Sequence, residues 1–254
     1  MHGGRYEAGS LAPEQQQDRL WASALGTIAR MGVLYLVRHG QASLGAADYD
    51  QLSPRGQAQA LRLGEYWRAQ GQTFDAVITG TLRRHRQTLA GIAQGLQTRT
   101  PEVLQLPGLN EYDSHALIAA VHPQPLGPPD SPERYHQHFR LLCAALAQWM
   151  AGTISPPGMP RWSAFSAGVH AALTHVRQQH AGQNVLLVSS GGPISTAVGQ
   201  VLGTQAQVTI ALNMRIRNSA VTELSVSPKR LMLQTFNTLP HLAAPEYAHW
   251  VTHA

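Results

Sequence analysis

The sequence predicts an α/β fold in which helices flank a mixed, mostly parallel central sheet. From residue 33 onward, strand-length apolar runs alternate with helix-length amphipathic ones, the pattern of strands buried between helices. Helix starts carry their own chemistry at Ser53-Pro54 and Ser131-Pro132, where serine can cap and proline takes the first helical position. Several strand-like runs end in polar or glycine-rich turns, as they do where strand carboxyl ends border a ligand crevice.

Residues 1–31 are rich in Gly, Gln and Ala without a sustained period, and read as an N-terminal extension to a single domain over 32–254. The first strand is expected at 33–37 and a helix from Ser53 to about Gln70. A second strand covers 74–79, and a helix over 82–96 puts Leu82, Leu89, Ile92, Ala93 and Leu96 on one face. A short strand follows at 103–106. The stretch 113–132, with HPQPLGPPDSP at its centre, reads as an irregular surface excursion close to a site. Helices are then expected from Ser131-Pro132 to Met150 and over 163–179, separated by Pro156-Pro157-Gly158, so that 113–180 forms a helical insertion roofing the pocket. A buried strand over 184–188, a helix over 193–202 and β-prone runs at 220–226 and 231–236 complete the chain.

Composition excludes several classes. With 43% hydrophobic residues and a net charge of +5, the 254-residue chain lacks the low hydrophobicity and high net charge of a disordered protein. The single Cys143 cannot form an internal disulfide and is expected on a helix face. No run approaches the ~18 apolar residues of a membrane span, and the first thirty residues lack a signal peptide's apolar core, so a soluble cytoplasmic protein is expected. The excess of 19 Lys+Arg over 14 Asp+Glu favours anionic partners. Nucleic acid is not the favoured one, because no aromatics interleave with the arginines and no base-reading motif is present.

Three strand ends carry the candidate chemistry. Arg38-His39-Gly40-Gln41 follows the first strand, where a turn holds both side chains at a pocket rim. Gly80-Thr81-Leu82-Arg83-Arg84-His85-Arg86-Gln87-Thr88 follows the second and puts positive charge at a helix start, which is tolerable if an anion sits there. Ser189-Ser190-Gly191-Gly192-Pro193 follows the late strand, and its free amides make an anion nest. Val188 stands where a nucleophile elbow needs Gly, and no Walker pattern is present, so neither a serine hydrolase nor a P-loop enzyme is supported. If the strands are parallel, the three ends share one edge and describe a phosphoryl site.

These segments resemble the histidine phosphatase superfamily, the branch that includes phosphoglycerate mutases and many bacterial phosphatases. LVRHGQ (36–41) resembles its signature, LSPRGQAQA (52–60) the helix start L-[ST]-x-x-G-x-x-Q-A, and GTLRRHRQT (80–88) the segment S-x-L-x-R-A-x-x-T. LNEYD (109–113) resembles L-x-E, and VSSGGPI (188–194) resembles V-S-H-G-G-x-I. The resemblance implies a phosphoglycerate mutase-like three-layer fold and phosphomonoester hydrolysis through a phosphohistidine on His39, with no metal or other cofactor required. It implies phosphate binding by Arg38, Gly40, Arg84, Ser190 and Gly191. His39 would attack phosphorus as a neutral ring, its second nitrogen donating to a fixed acceptor. Glu111 would protonate the leaving oxygen and then activate water.

Two departures bear on the activity. Ser190 stands where the family has its second histidine, at an expected cost of roughly tenfold to hundredfold in rate. Gly45 stands where mutases carry Asn, which argues against a glycolytic mutase. The alternatives are mutase-type phosphoryl transfer, or a catalytically weak member that binds a phosphorylated ligand or a protein. On the leading reading, Ser190→His raises turnover or leaves it unchanged. The partner is a phosphorylated small molecule, with neither nucleic acid nor membrane. Trp149 and Trp162 are core or subunit contacts, the latter compatible with a homodimer. His136 and His138, and His175 and His180, are poorly spaced as metal partners. His115 and His122 belong to the excursion, Asp113 caps it, and Asn237 and His241 resemble a C-terminal family segment.

Overall fold

The computed structural model describes residues 31–43, 50–99, 101–127 and 130–253. The run GVLYLVR forms β1 (Gly32–Arg38), followed by β2 (Ala76–Thr79), β3 (Val103–Gln105), β4 (Asn184–Ser189), β5 (Val221–Val226) and β6 (Leu231–Thr238). Among the described residues these make one sheet in the order β3-β2-β4-β1-β5-β6. Strands β1 to β4 run parallel, while β5 is antiparallel to β1 and β6 to β5. This is the mixed, mostly parallel sheet that the sequence predicts.

Because successive strand residues point to opposite faces, the central strands feed two cores. Val37, Val77, Leu186 and Val188 pack against Ala60, Leu63, Leu89, Ile92 and Leu96 of helices α1 (Pro54–Ala69) and α2 (Arg83–Leu96). The opposite face presents Leu34, Leu36, Ile78 and Leu187 to Leu117, Trp149, Phe165, Val169 and Ile194. Those residues belong to α3 (Ser114–Val121), α4 (Pro132–Met150), α5 (Trp162–Gln179) and α6 (Gly191–Leu202), beside which lies α7 (Ala206–Asn213). Each buried Leu or Ile contributes about 1.5–3 kcal/mol of transfer free energy, so this second core dominates the packing. The layering is helix, sheet, helix.

Three details differ from the sequence reading. The excursion begins with a regular helix, α3, because Asp113 accepts from the amides of His115 (2.9 Å) and Ala116 (3.0 Å), and the prolines begin only at Pro123. Helix α6 starts at Gly191 rather than at Pro193, which occupies its third position; proline is tolerated there because an amide in the first turn has no intrahelical acceptor anyway. Helix α7 was not foreseen, since its N-cap Gln205 makes no side-chain capping bond and eight residues leave little periodicity. The expected extension, apart from Met31, and Gly45 lie outside the described residues. Among those described, no helix is long and apolar enough to cross a membrane.

Trp149 and Trp162 pack together in the core, ring centroids 5.2 Å apart, and Trp149 Nε1 donates to the Pro160 carbonyl at 3.1 Å. Of the two roles open to them, core packing is the one observed. Cys143 is half-buried on α4.

Candidate active site

The parallel pairing of β1, β2 and β4 brings three strand ends to one edge, with Arg38 opposite Ser189 and Thr79 opposite Val188. His39 continues from β1. Its amide donates to the Ser189 carbonyl at 2.9 Å, and its carbonyl accepts from the Ser219 amide at 3.2 Å, which fixes the backbone on both sides. The imidazole Nδ1 lies 2.7 Å from the Gly40 carbonyl oxygen. A carbonyl can only accept, so Nδ1 carries the proton and Nε2 keeps its lone pair. Burial, reinforced by the Arg38 and Arg84 charges, holds this histidine well below its usual pKa. It is a neutral base at neutral pH.

The two arginines are buried and fixed differently. Arg38, 6% exposed, donates from Nη1 to the Ile216 carbonyl. Arg84, in the first turn of α2, forms an ion pair with Asp50 at 2.9 Å. The same carboxylate accepts from the amides of Arg83 (2.8 Å) and Arg84 (3.4 Å). Leu82, the N-cap, has no side-chain acceptor to offer, so Asp50 caps α2 from a distant loop. The basic cluster at this helix start thus has its anion within the protein. Thr88 joins the two segments, its hydroxyl accepting from the Gly40 amide at 3.0 Å and donating to the Arg84 carbonyl at 2.8 Å.

Glu111 approaches from the chain just before α3. One carboxylate oxygen accepts from the Gly192 amide at 3.1 Å and the other from the Tyr112 amide at 3.3 Å. Burial raises its pKa, outweighing the opposite pull of the Gly192 amide, Arg84 and Arg38. This carboxyl therefore holds a proton more tightly than a solvated one. A methyl group on Gly191 would lie 3.8 Å from Glu111 Oε2 and 3.9 Å from Arg38 Nε, so the carboxyl and the guanidinium converge on the first residue of α6. Ser190 precedes it as the N-cap, with its hydroxyl oxygen 2.7 Å from His85 Nε2. The His39 and His85 rings are 5.8 Å apart.

Arg38, His39, Gly40, Arg84, Glu111, Ser190 and Gly191 are therefore brought together at one edge of the sheet, although they come from four separate stretches of chain. Other candidates lie elsewhere. His136 is exposed on α4, and His138 is bonded to the Arg134 carbonyl at 2.9 Å. His175 and His180 are half-buried at the end of α5, with rings 5.4 Å apart. His115 is exposed and His122 lies 2.7 Å from Gln124 Oε1. Asn237 and His241 stand behind the site. Asn237 accepts from the Arg217 amide at 2.8 Å, and His241 Nε2 lies 2.9 Å from the hydroxyl of Ser219, whose amide holds His39. Among the described residues, no group of three or more His, Cys, Asp or Glu could hold a metal ion.

The pattern of the histidine phosphatase superfamily (branch 1) matches residues 34–123 and 129–239, most of the chain. The chain belongs to the histidine phosphatase superfamily. It is 32% identical over 84 residues to the broad-specificity phosphatase YOR283W of Saccharomyces cerevisiae, a match covering 31% of this chain and 36% of the yeast protein. Its fold is similar to that of phosphoglycerate mutase from Bacillus anthracis, with a TM-score of 0.59 at 17% identity, covering 84% of this chain and 96% of that one. It is also similar to phosphoserine phosphatase from Entamoeba histolytica, solved in complex with 3-phosphoglyceric acid, with a TM-score of 0.57 at 20% identity, covering 84% and 100%.

Sequence reasoning about this histidine phosphatase family member missed Asp50, His85, Thr88 and Asn213. Asp50 carries no local signal, because its partners are 33 and 34 residues away. Asn213 donates to the Tyr112 hydroxyl at 2.6 Å from the unforeseen helix α7. Two had a signal in the family segment quoted above, where Thr88 matches the threonine and His85 replaces the alanine.

Proposed function

We propose that this protein hydrolyses phosphomonoesters through a phosphohistidine on His39. The observation that carries the reading is the Nδ1 bond to the Gly40 carbonyl at 2.7 Å, which leaves Nε2 as a neutral nucleophile between two buried arginines. Arg38 and Arg84 neutralise the phosphoryl oxygens and favour in-line attack. Ser190 and Gly191 complete the phosphate cradle, while Gly40, whose amide and carbonyl are engaged by Thr88 and His39, fixes the nucleophile instead of binding phosphate directly. In the first step Nε2 bonds to phosphorus while the ester P–O bond breaks, and its electron pair leaves with the oxygen, which takes a proton from Glu111. In the second step water gives a proton to Glu111 and attacks phosphorus, and the P–N bond returns its pair to His39. The products are an alcohol and inorganic phosphate.

The proposed substrates are phosphorylated small molecules, and the proposed location is the cytoplasm. In support, the fold is shared with proteins named for phosphoserine and phosphoglycerate chemistry, and the net charge of +5 suits anionic ligands. The test is metal-free hydrolysis of p-nitrophenyl phosphate from pH 5 to 8, with rapid quench to trap acid-labile phosphoenzyme. Turnover and trapped phosphate that both disappear in His39→Ala are the expected result. Turnover that survives this substitution overturns the reading.

A further inference from the structure

His85 is a buried imidazole beside the nucleophile that the proposed hydrolysis does not use. It is 0% exposed, its Nε2 is 2.7 Å from the Ser190 hydroxyl, and its ring is 5.8 Å from that of His39. Its Nδ1 has no hydrogen-bond partner among the described residues. Space for the ring exists because residue 80 is glycine: a Cβ there would overlap His85 Nδ1 and lie 2.8 Å from Asn110 Oδ1. Gly80, His85 and Ser190 are thus sterically coupled, although 110 positions of chain separate the outer two.

Hydrogen-bond accounting orients the pair. Burial and the charges of Arg84 and Arg86 press the His85 pKa down to about 3, so the ring is neutral and carries one proton. On Nδ1 that proton would be a buried donor without an acceptor, the rarer and costlier arrangement; on Nε2 it donates to Ser190 Oγ. Ser190 is an N-cap that does not cap. Pro193 has no amide hydrogen, and the Gly192 amide is committed to Glu111 at 3.1 Å. With its oxygen already accepting from His85, the Ser190 hydroxyl keeps its own hydrogen for a ligand.

Resting on the phosphohydrolase reading, we propose that His85 is a positioning residue that aims the Ser190 hydroxyl at the phosphoryl group, the two acting as one donor unit at the site. A lone serine at a helix start is free to rotate and to be solvated; one held by a buried imidazole is preorganised for the charge that develops on the phosphoryl oxygens. The expectation that Ser190→His raises turnover is accordingly revised. A second imidazole at position 190 would have to share the space that His85 occupies, so this single substitution lowers turnover, and recovery requires His85→Ala alongside it.

The experiment is a double-mutant cycle of His85→Leu and Ser190→Ala, read as kcat and KM for p-nitrophenyl phosphate and as affinity for orthovanadate, with thermal unfolding of every variant. Each single substitution is expected to lower kcat and vanadate affinity about tenfold to hundredfold, with a smaller change in KM, and the double variant to be no worse than either single. His85→Gln, whose amide can still donate to Ser190, is expected to recover most of the loss at equal stability. Additive losses, an inert His85→Leu, or a loss in His85→Leu without one in Ser190→Ala overturns the proposal, and if His85→Leu does not fold, His85→Gln against Ser190→Ala supplies the same comparison. Should the wild type show no turnover, the phosphohydrolase reading fails by itself, and the vanadate cycle still decides whether the two residues act together.

Discussion

Asp50 holds Arg84 at both ends, pairing with its guanidinium at 2.9 Å and accepting from its amide at 3.4 Å, while also accepting from the Arg83 amide at 2.8 Å. One carboxylate thereby caps α2 and aims the arginine that the helix delivers to the site. The ion pair is partly open, with the Asp50 side chain 36% exposed, so its value lies in direction more than in stability.

Asp50→Ala is therefore expected to raise KM about tenfold with a smaller change in kcat, and to cost about 1 kcal/mol through the lost cap. Asp50→Asn keeps one acceptor oxygen, enough for the shorter bond from the Arg83 amide, and should retain more of the stability than Asp50→Ala. Steady-state kinetics with parallel denaturant melts separates the two effects. An unchanged KM in both variants would mean that Arg84 needs no such guide.

Glu111→Gln removes the proposed proton donor but leaves an acceptor for the Gly192 amide. Hydrolysis of alkyl phosphates should fall by about 10²–10⁴, whereas phosphoryl transfer from p-nitrophenyl phosphate, whose phenolate leaves without a proton, should fall much less. Because the second step also needs Glu111, phosphoenzyme should accumulate in rapid quench. In the wild type the raised Glu111 pKa keeps the donor competent into mildly acidic pH, and alkyl phosphate turnover should decline as pH rises through it.

Stability should fall in acid. His39, His85 and His241 are buried, and burial lowers all three pKa values, the last two to about 3. An unfolded chain takes a proton on each as pH drops through about 6.5, while the folded chain does not, so every such proton favours unfolding, by up to about 1.4 kcal/mol per pH unit each. Glu111 acts oppositely, since its raised pKa lets the folded state take up a proton first. Urea unfolding between pH 7 and 4 should show a net uptake of about two protons, and His241→Gln should reduce the slope. A flat profile would contradict the neutral, buried assignment of these rings.

Gly40→Ala should both destabilise the fold and abolish turnover. The added methyl would run into the Gly56 carbonyl oxygen at the start of α1, an obstacle made of backbone rather than of a flexible side chain. A loss of about 1–3 kcal/mol is expected, with the backbone shift displacing the carbonyl that fixes the His39 proton. Chemical denaturation and kinetics of Gly40→Ala against Gly127→Ala, whose added methyl would meet only the far end of the flexible Arg134 side chain, provide the comparison.

Much of the site was legible because its residues lie in short segments whose local structure is dictated locally. Arg38 and His39 follow an apolar strand, and Ser190 and Gly191 follow another, so the strand ends could be located before their neighbours were known. Asp113 as a cap was equally local: its acceptor contacts lie two and three residues ahead. Helix α3 escaped because the prolines downstream coloured the whole stretch, although none falls within Ser114–Val121.

By itself the sequence determined the alternation of strands and helices and the polar turns at strand ends where Arg38, His39 and Ser190 stand, since periodicity, capping and turn chemistry act over a few residues. Only the tertiary structure decided what those groups do to one another. That Asp50 caps α2 and that His85 rather than a backbone amide engages Ser190 depend on partners 33 and 105 residues apart. A hydrogen bond is directional and acts over about 3 Å, so such pairings exist only once the sheet has brought its strand ends together.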